Sequence, residues 1–188
     1  FWSGRANPDE ETLRAVREAG RLNLNGGVSR WDVLTNSVGF VRPRGRRVGS
    51  EYQVYCGAPN ENVYQGFFTT MPGAFWHVDQ TLANCGRGRI LKPANIYAHF
   101  YSAERPARLR ALRRLLDKWG HEENTAPVFA SDYVRAVLAS REAPRIWKTK
   151  RGWAFADMGA CRSVRIDDTS RPIDWVTSRG VFGERRVG

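Results

Sequence analysis

A segment in the middle of the chain, residues 92–102, constrains the fold most. Apolar side chains alternate with polar or aromatic ones over residues 96–101, IYAHFY. This period of two is typical of a β-strand with two different faces, and it places His99 on the same face as Tyr97 and Tyr101. In sheets whose strands are followed by helices, catalytic groups collect at the carboxyl ends of the strands. His99 is therefore the first candidate for a catalytic residue, with a hydrogen-bonded structural histidine as the alternative.

The first 25 residues predict a strand, a helix and a second strand. Residues 1–4 have the character of a strand end. Asn7 and Pro8 are expected to cap and begin a helix that ends at Gly20. A short alternating strand follows at 22–25. Because the connections are short, this order indicates a parallel sheet.

Four further segments are predicted from their side-chain patterns. The polar, glycine-rich stretch 42–49 is expected to be a surface loop. Residues 52–55 and 127–130 are expected to be strands, and residues 75–82 a short helix. The alternation of strands and helices predicts a domain of the α/β class.

Two amphipathic helices are predicted in the second half of the chain. The first covers residues 106–119, with an apolar face and a basic face that is expected to be solvated. Its apolar face comprises Leu109, Leu112, Leu115, Leu116 and Trp119. The second is expected to be capped by Ser131 and to end near Ala139, with Val134 and Val137 facing inward.

The pattern changes after Pro144. Short strand-like segments at 145–148, 152–155 and 163–166 are separated by turn residues, and no helical period returns. We therefore predict a domain boundary near residue 143. Residues 1–143 form one domain, and residues 144–188 form the start of an all-β module.

The chain is strongly basic. Its 188 residues include 30 Lys and Arg against 19 Asp and Glu, a net charge of +11, which favours polyanionic partners. The arginines are dispersed, however, and no aromatic and basic binding motif accompanies them, so nucleic acid is a disfavoured partner. No apolar run approaches the roughly 20 residues that a membrane-spanning helix needs.

No metal ligand is assigned within the chain. The three cysteines contain no C-x-x-C pair, and the three histidines do not have the spacing of a zinc triad. These residues are Cys56, Cys85 and Cys161, and His77, His99 and His121.

A general acid at His99 would need a carboxylate beside its ring, because a negative charge favours the protonated form. Glu61 is the best candidate for that partner. It lies in a polar loop after the strand predicted at 52–55, beside two asparagines. Trp2 and Tyr101 are candidates for a floor on which a sugar ring can stack.

Five sequence segments together resemble one family. They are FWSG followed by NP in 1–8, LNGG at 24–27, QVY followed by NENVY in 53–64, LKP followed by IYAHFYS in 91–102, and ASDY at 130–133. The same segments occur in this order in the deacetylase domain of the PelA family, which modifies the Pel exopolysaccharide in the bacterial periplasm. The resemblance covers residues 1–143.

The resemblance implies the C-terminal part of a distorted (β/α) barrel of the polysaccharide deacetylase type, followed by a β-rich module. It implies metal-dependent hydrolysis of N-acetyl groups on an amino-sugar exopolysaccharide. The divalent metal, with zinc as the expected ion, would be held by residues outside this segment. The resemblance also implies a periplasmic or extracellular location and other exopolysaccharide secretion proteins as partners.

The resemblance also suggests roles for individual residues. His99 corresponds to a histidine expected to protonate the leaving amine or to stabilise the oxyanion, and Glu61 is predicted to act with it. The predicted substrate-binding residues are Trp2, Asn62, Tyr64, Tyr97 and Tyr101.

Two other functions stay open at the level of sequence. One is a carbohydrate-binding domain without catalytic activity. The other, which the sequence favours less, is a basic protein that binds nucleic acid.

Overall fold

The structure is a computed structural model, and it describes residues 1–2, 6–25, 30–32, 37–39, 44–61, 74–85, 93–122, 125–142, 144–167 and 172–184. The helices are α1 (Glu10–Glu18), α2 (Ala74–Cys85), α3 (Pro106–Gly120) and α4 (Ala130–Ala139), with a 3₁₀ helix at Phe100–Glu104. The strands are β1 (Arg30–Asp32), β2 (Ser37–Gly39), β3 (Gly45–Val48), β4 (Glu51–Val54), β5 (Arg145–Lys148) and β6 (Trp153–Ala156). Among the described residues these strands form three two-stranded antiparallel sheets, β1–β2, β3–β4 and β5–β6.

Parallel contacts join the segments around Trp2, Asn25 and Tyr55. Trp2 forms a parallel bridge with Asn25, and Asn25 forms another with Tyr55. The backbone N–H of Trp2 donates to the carbonyl of Leu24 at 2.8 Å, and that of Asn25 donates to Val54 at 2.8 Å. The predicted parallel arrangement around α1 is therefore present as isolated bridges. No barrel is seen within the described ranges, so the barrel remains a prediction.

Two buried amides position the chain that follows Trp2. The side-chain amide of Asn25 donates to the carbonyl of Ala6 at 2.7 Å, and that of Gln53 donates to the same carbonyl at 3.1 Å. Both side chains lie in the interior, where a polar group needs a hydrogen-bond partner. They tie Ala6, at the entry to α1, to the central segments.

The cap of α1 differs from the prediction by two residues. Asp9, not Asn7, is the N-cap, and its carboxylate accepts a hydrogen bond from the backbone N–H of Thr12 at 2.9 Å. Pro8 consequently precedes the helix instead of occupying its first turn. Gly20 follows the helix with φ of +67°, which confirms the predicted end.

The predicted surface loop at 42–49 is wrong, because Gly45–Val48 forms β3 and pairs with the predicted strand β4. Arg46 lies opposite Gln53 in this register, and its Nε donates to the side-chain oxygen of Gln53 at 2.8 Å. This cross-strand hydrogen bond stabilises a strand that carries no apolar alternation.

The described core consists of two clusters. One contains Leu24, Val54, Cys56, Val134 and Val137, and the other contains Phe75, Val78, Leu82 and Leu115. The inward faces predicted for α3 and α4 are therefore confirmed at Leu115, Val134 and Val137. The assignment of Leu116 to the inner face is wrong, since it is 51% exposed.

The buried strand predicted at 96–101 is also wrong. Residues 93–99 form no assigned strand, the chain enters the 3₁₀ helix at Phe100, and Phe100 is 99% exposed. The backbone N–H of His99 donates to the carboxylate of Glu61 and not to a strand carbonyl. A side chain thus takes the place of a strand carbonyl at His99, while the backbone N–H of Tyr97 donates to the carbonyl of Pro59 at 3.1 Å.

The start of α4 differs from the prediction as well. Residues 127–129 form no strand, and Ala130 is already the first residue of the helix. Phe129 occupies the N-cap position, so Ser131 is not the cap.

The C-terminal region contains the predicted β5–β6 hairpin, while 163–166 forms no strand. The Cys161 thiol lies 3.6 Å from the carbonyl of Ala136 in α4. The boundary near residue 143 stays a prediction. None of the described helices is long and apolar enough to cross a membrane.

Candidate active site

The candidate site is centred on the buried carboxylate of Glu61. Its side chain is 1% exposed, and the polar loop predicted around it is a loop that is buried over residues 58–61. One oxygen, Oε1, accepts hydrogen bonds from the backbone N–H of His99 at 3.0 Å, from His99 Nδ1 at 3.0 Å and from Ser102 Oγ at 2.5 Å. A buried carboxylate needs such donors to offset its loss of hydration.

The local conformation brings His99 and Ser102 to the same carboxylate. His99 is extended, with φ of −87° and ψ of 149°, and it immediately precedes the 3₁₀ helix. The backbone N–H of Ser102 donates to the carbonyl of His99 at 2.9 Å. In a 3₁₀ turn the side chains of residues i and i+3 eclipse each other, so both side chains point towards Glu61.

A row of rings surrounds the imidazole. Tyr97 meets the His99 ring edge-on at a centroid distance of 4.9 Å and an angle of 82°, and Tyr101 stacks on it at 4.9 Å and 9°. Phe1 stacks on Tyr97 at 6.3 Å and 15°. We call Phe1, Tyr97, His99 and Tyr101 the aromatic row. It presents apolar ring surface to solvent, since Phe1 is 66% and Tyr101 38% exposed.

This geometry assigns different tasks to the two ring nitrogens of His99. An ionised carboxylate only accepts hydrogen bonds, so Nδ1 donates its proton to Glu61. Nε2 is then the nitrogen that can exchange a proton with a bound molecule. The His99 side chain is 33% exposed, which leaves the ring accessible to a ligand.

The structure brings together four of the seven predicted site residues. Glu61 contacts His99, as predicted for its carboxylate partner, and Tyr97 and Tyr101 flank the His99 ring. Trp2 is half-buried, and its neighbour Phe1 is the residue that stacks on Tyr97. Asn62 and Tyr64 lie outside the described residues.

Sequence reasoning missed Ser102 and Phe1. In the predicted strand, residues 99 and 102 would lie on opposite faces, so nothing linked Ser102 to His99. The spacing of three would have suggested contact if the 3₁₀ turn had been recognised. Phe1 was overlooked because the adjacent Trp2 was the more obvious stacking residue.

The expected divalent metal finds no site in the part of the chain that the structure describes. No group of three or more His, Cys, Asp or Glu residues there is arranged to hold a metal ion. Within the candidate site, His99 Nδ1 is already engaged with Glu61. The described residues therefore do not fit a metal centre.

Burial shifts the pKa values of two other side chains, Cys56 and His77. Burial raises the pKa of the Cys56 thiol to about 12, which makes it a poor nucleophile near neutral pH. Burial lowers the pKa of His77 on α2, against a smaller raising effect of its hydrogen bond with Gln80. Neither group is part of the Glu61–His99 contact.

Comparisons with known protein families, curated proteins and solved structures find no match for this chain.

Proposed function

We propose that this chain is the C-terminal part of a metal-dependent polysaccharide N-deacetylase of the PelA type, with His99 as its catalytic acid. Its substrate would be an amino-sugar exopolysaccharide in the periplasm or outside the cell. The observation that supports the proposal best is the hydrogen bond from His99 Nδ1 to buried Glu61 at 3.0 Å, within a row of exposed aromatic rings.

The proposed reaction is hydrolysis of an acetamide. The bond between the carbonyl carbon and nitrogen breaks, water supplies the new oxygen of acetate, and the leaving amine takes a proton. His99 donates that proton from Nε2, and a positioned acid of this kind contributes about 10²–10⁴-fold to a rate. Glu61 holds the ring through Nδ1, so that Nε2 is the nitrogen that faces the leaving amine.

The divalent metal that the resemblance implies, with zinc as the expected ion, would supply Lewis-acid activation of the carbonyl and of water. We propose that it is held by residues outside this segment. The contribution of the described residues would be proton delivery and substrate positioning.

The aromatic row is the reason for proposing a sugar polymer as the substrate. The flat face of an aromatic ring packs well against the apolar C–H face of a pyranose, and the rings of Phe1 and Tyr101 have exposed surface for this purpose. Because Tyr101 stacks directly on His99, a sugar bound along the row would lie beside Nε2.

The same aromatic row supports a second candidate, a domain that binds carbohydrate without catalysis. Stacking on Phe1, Tyr97 and Tyr101 requires no chemistry at His99. At His99 the two candidates differ, because only the enzyme needs an imidazole that is held through Nδ1 and donates a proton from Nε2.

The proposal is tested with the full-length protein and a soluble oligomer of N-acetylated amino sugars. Acetate release is measured before and after removal of divalent metal with a chelator and after re-addition of zinc. Binding of the oligomer is measured in parallel by calorimetry. Metal-dependent acetate release supports the deacetylase, whereas binding without acetate release favours the carbohydrate-binding domain.

A further inference from the structure

Ser102 is buried within a turn that is otherwise exposed. Its residue exposure is 1%, while Phe100 is 99% and Tyr101 is 38% exposed, and residues 103 and 104 are exposed. A serine has little apolar surface to gain from burial, so its hydroxyl must find a hydrogen-bond partner there. That partner is Glu61 Oε1, at 2.5 Å.

Ser102 and His99 donate to the same carboxylate oxygen. A carboxylate on a flexible side chain can rotate about its last torsion, which turns its oxygen away from the donor that it faces. The short hydrogen bond from Ser102 opposes this rotation, because it fixes Oε1 from a direction different from that of the His99 ring. The backbone N–H of His99 adds a third donor to Oε1.

We propose that Ser102 is a positioning residue, which holds Glu61 Oε1 towards His99 Nδ1 and thereby fixes the tautomer and orientation of the imidazole. The role in turnover rests on the proposed function, whereas the role in ring orientation does not. Loss of an outer partner that orients a functional side chain typically lowers activity 10–100-fold.

The orientation is tested by nuclear magnetic resonance of the full-length protein with ¹⁵N-labelled histidine. A protonated and a bare ring nitrogen give widely separated signals, and exchange between tautomers averages them. The signals of His99 are assigned by their disappearance in His99→Gln. At a pH high enough for the His99 ring to be neutral, we expect widely separated signals in the wild type and signals that lie closer together in Ser102→Ala.

Ser140→Ala provides a matched control. The Ser140 hydroxyl also donates one short hydrogen bond, to the carbonyl of Val137 at 2.7 Å, but at the end of α4. Its removal should leave the His99 signals unchanged. Ser102→Cys, which keeps the side-chain volume with a much weaker donor, replaces Ser102→Ala if the latter does not fold.

Turnover supplies the second readout. We expect Ser102→Ala to lower kcat for acetate release about ten-fold or more, with KM within about two-fold of wild type. In a Glu61→Ala background the same substitution should lower kcat no further, because Ser102 acts through Glu61.

The possible outcomes separate the two proposals. Unchanged His99 ring signals in Ser102→Ala overturn the positioning role, whatever the activity. A further ten-fold loss of kcat in the Glu61→Ala background also overturns it. If the ring signals shift while the wild-type protein releases no acetate, the positioning role is supported and the deacetylase proposal fails.

Discussion

Glu61 Oε1 and His99 Nδ1 lie 3.0 Å apart, although 38 residues separate them in the chain. The carboxylate is buried and the imidazole is partly exposed, so the pair joins the interior to a surface lined by aromatic rings. A buried carboxylate that orients an accessible histidine is a common arrangement in proton-transfer sites. This relationship connects the fold to the proposed chemistry.

Glu61→Gln removes the negative charge while keeping the side chain's size. We expect the free energy of unfolding to fall by about 1–3 kcal/mol, because the buried donors of His99 and Ser102 lose a charged acceptor. Chemical denaturation measures this change. Glu104→Gln, an exposed substitution in the 3₁₀ helix, should change stability by less than about 0.5 kcal/mol. Equal denaturation midpoints for Glu61→Gln and wild type would contradict the account of the buried cluster.

Tyr101→Leu removes the ring that stacks on His99. We expect the Kd for an N-acetylated amino-sugar oligomer to rise about five- to ten-fold, since an aromatic stacking contact is worth about 1 kcal/mol. Calorimetry with the full-length protein measures the change. Phe100→Leu is the control, because Phe100 is adjacent, 99% exposed and not part of the aromatic row. An equal rise in Kd in the two variants would show that the aromatic row does not form the binding surface.

The Cys56 thiol should be inert in the folded protein. Burial raises its pKa to about 12, so only about one thiol in ten thousand is ionised at pH 8. A thiol-specific reagent at pH 8 should therefore label half-buried Cys85 and Cys161 first and Cys56 only after addition of denaturant. Mass spectrometry of the labelled peptides identifies each site. Labelling of native Cys56 at the rate of Cys161 would contradict its placement in the core.

Glu10 joins α1 to the turn between β3 and β4. Its carboxylate accepts hydrogen bonds from the Ser50 backbone N–H at 2.9 Å and from the Ser50 hydroxyl at 2.7 Å. These bonds, with a smaller effect of Arg14, lower the pKa of Glu10 below its ordinary value of 4.5. The folded pKa is the lower one, so this stabilisation is present above the unfolded pKa and is lost as the pH falls through the folded pKa.

Glu10→Gln should consequently be less stable than wild type at pH 7, and the difference should shrink as the pH falls towards about 3. Urea midpoints over this pH range measure the effect. Glu11→Gln, an exposed substitution in the same helical turn, is the control. A difference that does not depend on pH would show that the charge of Glu10 is not what stabilises the turn.

The two helices α3 and α4 were predictable from side-chain period alone. The stripe through Leu115 and the pair Val134 and Val137 placed α3 and α4 correctly, because a helix buries the residues that recur every three or four positions. The strand β3 was not predictable in this way. Its sequence is GRRV, and Arg46 is accommodated through a cross-strand hydrogen bond to Gln53 that appears only in the folded chain.

The candidate site was predictable in part. The need of a catalytic histidine for a carboxylate was enough to propose that Glu61 contacts His99, and the structure contains that contact. The contribution of Ser102 was not predictable, because it depends on where the extended segment turns into a 3₁₀ helix. That point is determined by the hydrogen bond from the His99 backbone to Glu61, a tertiary contact.

The catalytic role of His99 is tested by the turnover of His99→Gln in the full-length protein, measured as acetate release from an N-acetylated amino-sugar oligomer. His121→Gln is the matched control, since the His121 side chain is 82% exposed and contacts Asp117 on α3. We expect kcat to fall about 100-fold or more in His99→Gln and to stay within about two-fold of wild type in His121→Gln. Acetate release by folded His99→Gln at the wild-type rate would show that His99 is not the catalytic acid.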